Sequence, residues 1–395
     1  MANQYPTIFV HGLLGFGPKE LGPLNYWGTA LRIPSPLRCY EASVGPLSSA
    51  HDRACELAAQ IKGTRVDYGA DHAQQAGHYQ YGDDFSNQGF VPEWSEAHPI
   101  HLVGHSLGSP TIRCLQHLLA IDYWGWGSTQ RWVNSITTIS GVSNGSPLTY
   151  FFGADEKTGK LKKITGIASI LMMIEVFGAA TGGILEAIYD FDLEHWGFKR
   201  ESGESLVHYL ARVAKSRFLW GTDNAAYTLS LQGAYADNQV WQTYPDTYYF
   251  SYITEQTYQG WFTGKHYPEL LMNPAMLALA TYIGHKEFAH PPIPMANFKS
   301  ADWWENDGAV STYAQKYPHI SGIHPVGGEI DENTPVTHFQ PGRWYYQWER
   351  DIDHLDICIS PQLDQIGWQK RFYTTLLYRL AALEAPQPKP ESEHE

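Results

Sequence analysis

The stretch Ile100-His-Leu-Val-Gly-His-Ser-Leu-Gly-Ser-Pro-Thr-Ile-Arg-Cys-Leu-Gln-His-Leu-Leu-Ala120 decides the fold. Pro99–His105 reads as a buried strand, and Leu107–Ala120 repeats apolar residues at helical spacing. Between them, Gly104-His-Ser106-Leu-Gly108 fits G-x-S-x-G in the strand–turn–helix setting that this motif requires. Two glycines are needed because side chains would clash in so tight a turn. The turn holds the Ser106 hydroxyl clear of the backbone, at a helix N-terminus. Free N–H groups and the helix dipole there favour developing negative charge, so Ser106 is a candidate nucleophile.

Working outward, the N-terminal half alternates strands with helices. Thr7–Gly12, Leu37–Gly45 and Ser135–Gly141 read as strands. The helix over Ser49–Lys62 has Ser48 or Ser49 as its candidate cap. Alternation of this kind predicts βαβ units, a mostly parallel sheet and helices on both faces. After the first strand comes His11-Gly-Leu-Leu-Gly15, a loop able to supply a second backbone donor. The oxyanion donors are then the N–H groups of Leu13 and Leu107, and His11 is expected to pack structurally under the loop. Residues 143–245 look like a helical insertion or cap. Within them, 164–188 carry apolar residues at helical spacing and suggest a cover over an apolar site. Thr247–Glu255 resumes strand character, and a last helix spans Trp368–Leu383. One α/β domain over 1–384 is expected, followed by a disordered tail at 385–395.

Composition narrows the function. A formal net charge of −14 argues against nucleic-acid binding, which needs clustered Lys and Arg. With 43% hydrophobic and 17% charged residues the chain can build a large core. Glu175 splits the longest low-charge stretch, so no membrane span is expected. Cys39, Cys55, Cys114 and Cys358 are too few and too scattered for a disulfide framework. The opening MANQYPTIFVHG runs almost directly into a strand, without a secretory leader. The expectation is an intracellular chain or a mature secreted form. The composition does not indicate an oligomeric state.

The acid and base should follow the serine in the order Asp, then His. His354, in Asp351-Ile-Asp-His-Leu-Asp356, precedes the last helix, where a catalytic histidine loop is expected, with His338 and His324 as competitors. Asp307 sits at the Glu305-Asn-Asp-Gly308 turn, with Asp302 and Glu305 as alternatives.

At this point several strings acquire a shared meaning. They include Tyr26-Trp-Gly28, Val44-Gly-Pro-Leu-Ser-Ser49, Asp52-Arg-Ala-Cys-Glu56, Val66-Asp-Tyr-Gly-Ala70 and Tyr267-Pro-Glu-Leu270, with GHSLG, ENDG and DHL. In this order, over nearly the whole chain, they resemble the thermoalkalophilic bacillary lipases and, more distantly, the staphylococcal lipases. The resemblance implies an α/β-hydrolase fold with a helical lid, acting on carboxylic esters of apolar acyl chains. It implies Ser106 as nucleophile, His354 as base and Asp307 as acid. It further implies a structural zinc on Asp52, His72, His78 and Asp223, clipping the insertion to the core, and no organic cofactor. The family's calcium site is weakened: Asp356 replaces a Glu, Ile359-Ser-Pro-Gln362 has no Asp in register, and the backbone contributor falls at Leu271. Leu107 also stands where the bacterial lipases have Gln. The same triad would serve acyl transfer to another alcohol, including lactone formation. Lipid or small-molecule esters are the expected partners, with contact to a lipid interface through the lid.

Overall fold

The computed structural model describes residues 3–384 except 19, 21–24, 29, 163–167, 169, 170, 173, 176–190, 320–322 and 359–364. The expected cover at 164–188 therefore lies almost wholly outside the described residues. So do the 359–362 segment of the calcium comparison and the tail at 385–395.

Eleven strands are described: β1 (Thr7–Val10), β2 (Cys39–Ala42), β3 (Arg65–Asp67), β4 (Tyr81–Asp84), β5 (Ile100–His105), β6 (Val133–Ile139), β7 (Tyr248–Glu255), β8 (Thr257–Gln259), β9 (His266–Pro268), β10 (Val326–Glu329) and β11 (Trp344–Arg350). Seven of them form one sheet in the order β2-β1-β5-β6-β7-β11-β10. Every pairing in that sheet is parallel. β3–β4 and β8–β9 are separate antiparallel pairs. The expected strands are present, four of them trimmed by one to three residues at an end, whereas β6 begins two residues before Ser135 and ends two before Gly141. β10 and β11 were not anticipated, nor were the two small pairs.

β5, β6 and β7 are buried along their whole length, as strands covered on both faces should be. Successive side chains divide between two cores. Phe9, Val103, Ile139 and Phe250 enter one. Ile8, Val10, Leu102, Ile136 and Tyr249 enter the other. The second core is closed by α1 (Ala50–Lys62) and α3 (Gly108–Ala120), through residues such as Leu57 and Leu115. The first is closed by the helix Ile366–Ala382, where Tyr373 packs on Phe9 and Trp27. Ser49, the second of the two expected caps, accepts the Asp52 amide at 3.2 Å, and Gly63 ends α1 in the left-handed region. All four cysteines are free, with Cys55, Cys114 and Cys358 buried. Among the described residues no helix is long and apolar enough to cross a membrane.

This topology places the site. The chain leaves β1 toward β2 on one side of the sheet, and from β5 onward it builds the other side. The C-terminal ends of β1 and β5 are neighbours, with Val10 paired to Gly104, and they flank the switch point where α/β sheets open a crevice. The loops after these two strands are the ones that carry Gly12-Leu13 and Ser106.

The core also holds several neutral histidines. Burial pushes His101 down to about 3, with Ser135 donating to Nδ1 at 2.7 Å and Nε2–H donating to Asn3 at 3.0 Å. Burial, seconded by Arg53, lowers His11 to about 3, and burial lowers His319 to about 4. The unfolded chain takes up these protons near pH 6.5, while the folded one refuses them until far lower. The stability they contribute is complete above pH 6.5 and is lost as pH falls toward the folded values. Each removes up to about 1.4 kcal/mol per pH unit in that window. Burial raises Glu56 and Asp237 to about 7, which works the other way in this window. The histidine contribution is therefore read by difference: the fall in urea midpoint between pH 6.5 and 5 should shrink in His101→Gln. An unchanged fall in that variant would contradict the assignment.

Candidate active site and metal centre

Ser106 sits at the turn between β5 and α3 with φ of +53°, a strained conformation for any residue with a side chain. The surrounding backbone explains the glycines. A Cβ on Gly104 would lie 2.5 Å from the Gly108 carbonyl carbon, and one on Gly108 would lie 2.1 Å from the Val10 oxygen. A Cβ on Gly12 would press on that of Ser106 at 2.8 Å. The tight elbow and the loop after β1 thus depend on one another for close approach.

Tyr26 joins these two loops. Its hydroxyl accepts the Gly12 N–H at 2.8 Å and donates to His105 Nδ1 at 2.6 Å. His105 is held neutral by burial, well below its ordinary value. Beneath them, the buried Arg53 donates to the carbonyls of His11 and Gly45 and to Thr111 on α3. His11 is structural, as expected, with Nε2 accepting the Val44 amide at 3.2 Å. The N–H groups of Leu13 and Leu107 make no hydrogen bond among the described residues. Leu107 stands at the N-terminus of α3.

His354 Nδ1 donates to Asp307 Oδ2 at 2.8 Å, and the His354 amide donates to the Asp307 carbonyl at 2.9 Å. Asp307 is fully buried. Its Oδ1 accepts the amides of Ala309 and Val310 at 3.0 and 2.7 Å. Its Oδ2 also accepts Thr254 Oγ1–H at 2.7 Å and Gln315 Nε2–H at 3.2 Å. With Nδ1–H committed to the carboxylate, Nε2 is left as the basic nitrogen. The competitors lie elsewhere: His324 bonds Thr243 and Asn238, His338 packs on Phe339 and Tyr345, and Glu305 bonds Thr312.

Ser106 and His354 line one cleft with about 1090 Å³ of empty space between its walls, mouth included. They make no direct hydrogen bond to each other in this geometry, and such contacts commonly tighten only with substrate in place. The walls are apolar, with Leu13, Phe16, Leu148, Phe152, Phe218 and Leu229 among them. Residues 224–226, immediately after Asp223, form part of the same wall.

Asp52 on α1, His72 on the helix α2 (Ala70–Ala76), His78 and Asp223 converge, each offering one atom within 4.8 Å of the others. His72 Nε2 lies 3.1 Å from Asp52 and 3.3 Å from Asp223, and His78 Nε2 lies 3.7 and 3.3 Å from the same carboxylates. Ligand atoms at the corners of a tetrahedron with bonds of about 2.0–2.1 Å stand about 3.3 Å apart, so the spacing fits a small divalent cation. His78 Nε2 and Asp223 Oδ2 are buried without a hydrogen-bond partner, which also fits a cation ligated at this point. His78 donates Nδ1–H to the Tyr79 carbonyl at 2.8 Å, leaving its Nε2 lone pair free to bind metal. His195, not anticipated from sequence, holds the second oxygen of Asp52 at 3.1 Å. Burial opposes charge on His72, but Asp223 and Asp52 together raise it to about 10. Without a metal, a proton would take the cation's place.

Around the position of the family's calcium site, which the sequence weakens here, the Asp356 carboxylate accepts the Asp353 amide at 3.0 Å. Asp353 in turn accepts the amides of Asn273, Leu355 and Asp356. The bonds among Asp353, Leu355 and Asp356 are internal to the loop that carries His354, and the Asn273 bond ties that loop to the segment after β9.

Comparison with known proteins agrees with this architecture. Residues 3–384 match the family model described as lipase-like, C-terminal domain. The chain is 34% identical over 389 residues to a lipase of Staphylococcus hyicus, covering 92% of this chain and 55% of that protein. It spans about half the length of the curated relatives it matches. Among solved structures, EstA from Clostridium botulinum superposes with a TM-score of 0.79 at 31% identity, covering 98% of this chain and 89% of that one. The Staphylococcus hyicus lipase structure gives 0.73 at 31% identity, covering 96% of each. The fold is accordingly that of the α/β-hydrolase lipases.

Proposed function

Because this chain belongs to the family described as lipase-like, C-terminal domain, we propose that it is a lipase/carboxylesterase working through a Ser106–His354–Asp307 acyl-enzyme mechanism. The observation that carries the reading is the 2.8 Å His354–Asp307 bond at the floor of an apolar cleft that also exposes the serine of a strained elbow. Ser106 Oγ attacks the ester carbonyl while His354 Nε2 takes its proton. The N–H groups of Leu13 and Leu107 receive the oxyanion. The tetrahedral intermediate collapses, the C–O bond to the alcohol breaks, and His354 returns the proton to the leaving oxygen. Water, activated by the same nitrogen, then releases the acid from Ser106. Asp307 holds the tautomer and stabilises the imidazolium.

The leucine and phenylalanine walls suit an apolar acyl chain. Water as acceptor is supported by relatives named as lipases, and no observation favours the acyl-transfer alternative. We assign Asp52, His72, His78 and Asp223 to a structural zinc. A site closed by four protein ligands holds segments together and leaves no position for substrate. A p-nitrophenyl ester series from acetate to palmitate, with a triglyceride emulsion alongside, tests the reading. Turnover across the soluble esters is expected, and failure on every ester would overturn it.

A further inference from the structure

The hairpin β8–β9 exposes aromatic residues that the cleft chemistry does not use. Trp261 and Phe262 at its tip are 93% and 99% exposed, and Leu270 and Leu271, just past its base, are 97% and 61% exposed. Tyr258, between them, is also exposed. Isolated exposed apolar residues need no explanation, but five large ones on one short element do.

The hairpin is held firmly: β9 packs on the helix Leu277–His285, with Tyr267 edge-on to His285 at 4.6 Å between ring centroids, while its tip stays exposed. Gly260 N–H donates to the Lys265 carbonyl and Gly264 N–H to that of Gly260, both at 2.8 Å. Tyr258 stacks on Tyr267. The Lys265 ammonium lies 3.5 Å from the Trp304 ring centroid and pairs with Glu287, so its charge is engaged beside the tip.

Its base is bound to the two loops that carry the acid and the base of the triad. Gln256 N–H donates to the Asn306 carbonyl at 3.2 Å, Glu269 N–H to Gln256 at 3.1 Å, and Asn273 N–H to Asp353 at 2.7 Å. The hairpin therefore stands on the catalytic edge of the sheet. Charge selects what it can meet. Residues 256–285 contain one Lys and one Glu in a chain of net charge −14. An anionic surface would be repelled by the rest of the protein, whereas an uncharged apolar surface is matched by this neutral patch. Trp, Tyr and Phe are the side chains that settle at a lipid–water boundary.

We propose that the β8–β9 hairpin, through Trp261 and Phe262 with Leu270 and Leu271, docks the protein on an electroneutral lipid–water interface. The proposal rests on the ester-hydrolase reading only for its purpose, and its test does not need catalysis. With Ser106→Ala as background, so that no lipid is consumed, binding is measured by sedimentation with sucrose-loaded phosphatidylcholine vesicles. Adding W261S and F262S should lower the partition coefficient by at least about tenfold, and L270S with L271S should lower it further. The melting temperature should not move. On the Ser106-bearing chain, W261S/F262S should leave hydrolysis of soluble p-nitrophenyl butyrate unchanged. Unaltered vesicle binding in W261S/F262S would overturn the proposal, as would a parent that does not bind. Binding that appears only when phosphatidylglycerol replaces part of the phosphatidylcholine would overturn the charge argument. A dimer in sedimentation velocity that W261S/F262S dissociates would assign the patch to a second copy of this chain instead. If the Ser106-bearing chain fails on soluble esters while vesicle binding persists, the catalytic reading falls and the docking surface stands.

Discussion

Ser106→Ala should lower kcat on a soluble ester by roughly 10⁴–10⁶-fold, and His354→Ala by a similar factor. The two should not add, because an unactivated serine and a base with no serine to serve are the same failure. The double variant should stay within a few-fold of either single one. Asp307→Asn should cost about 10⁴. An amide can donate to Nδ1 and so present the wrong tautomer. It also disturbs a carboxylate that accepts from Thr254, Gln315 and two amides as well as from His354. Residual turnover above the uncatalysed rate should persist in all of these variants, since the donors at Leu13 and Leu107 remain. The check is steady-state kinetics, with circular dichroism and melting curves to confirm folding. Near-normal turnover in His354→Ala would send the search back to His338 or His324.

Removing the metal should have the second-largest effect, and on a different observable. Ligands drawn from α1, α2 and the Asp223 turn exist as a site only in the folded chain, so binding adds directly to stability. When free metal exceeds its dissociation constant a thousandfold, that contribution is about 4 kcal/mol. Two neutral imidazoles and two carboxylates balance a divalent cation, which makes a partly buried ion tolerable. Gently purified protein should contain about one zinc per chain by elemental analysis. Chelation should lower the melting temperature by several degrees, and His72→Ala should reproduce that loss without chelator. The chemical step should change little, because no ligand belongs to the triad. Since Asp223 leads into the cleft wall at 224–226, any catalytic effect should fall on KM for long acyl chains. Protein free of zinc, or catalysis lost at unchanged stability, would contradict this assignment.

The sequence exposed the site unevenly, for physical reasons. The elbow could be read because its geometry constrains local chemistry: two glycines for contact with Val10 and Gly108, a serine between them, a strand before and a helix after. Asp307 and His354 could be placed because a turn and a position before the last helix are also local. Tyr26, Thr254, Gln315 and His195 carry no such mark. Tyr26, Thr254 and His195 act through partners far along the chain, as when Tyr26 spans 79 positions to His105 and His195 spans 143 to Asp52. Gln315 reaches Asp307, eight positions back, from a segment that carries no motif. Tyr26 did stand within the Tyr26-Trp-Gly28 string, which was the available signal. The four candidate metal ligands could not be grouped by spacing, since Asp223 joins the others only through the fold. They became readable only through the resemblance. β10 and β11 escaped because Val-Gly-Gly-Glu and Trp-Tyr-Tyr-Gln-Trp-Glu-Arg are half-exposed toward the sheet edge and lack the continuous apolar run of β5. The β8–β9 hairpin escaped because three-residue strands are too short to show alternation.

The central claim is that Ser106 carries the acyl group. Rapid-quench mass spectrometry during turnover of a p-nitrophenyl ester tests it most directly. The account predicts a transient adduct of the acyl mass, mapped to the peptide that contains Gly104–Gly108 and absent in Ser106→Ala. Ester turnover with no adduct, or an adduct on any other residue, would contradict it.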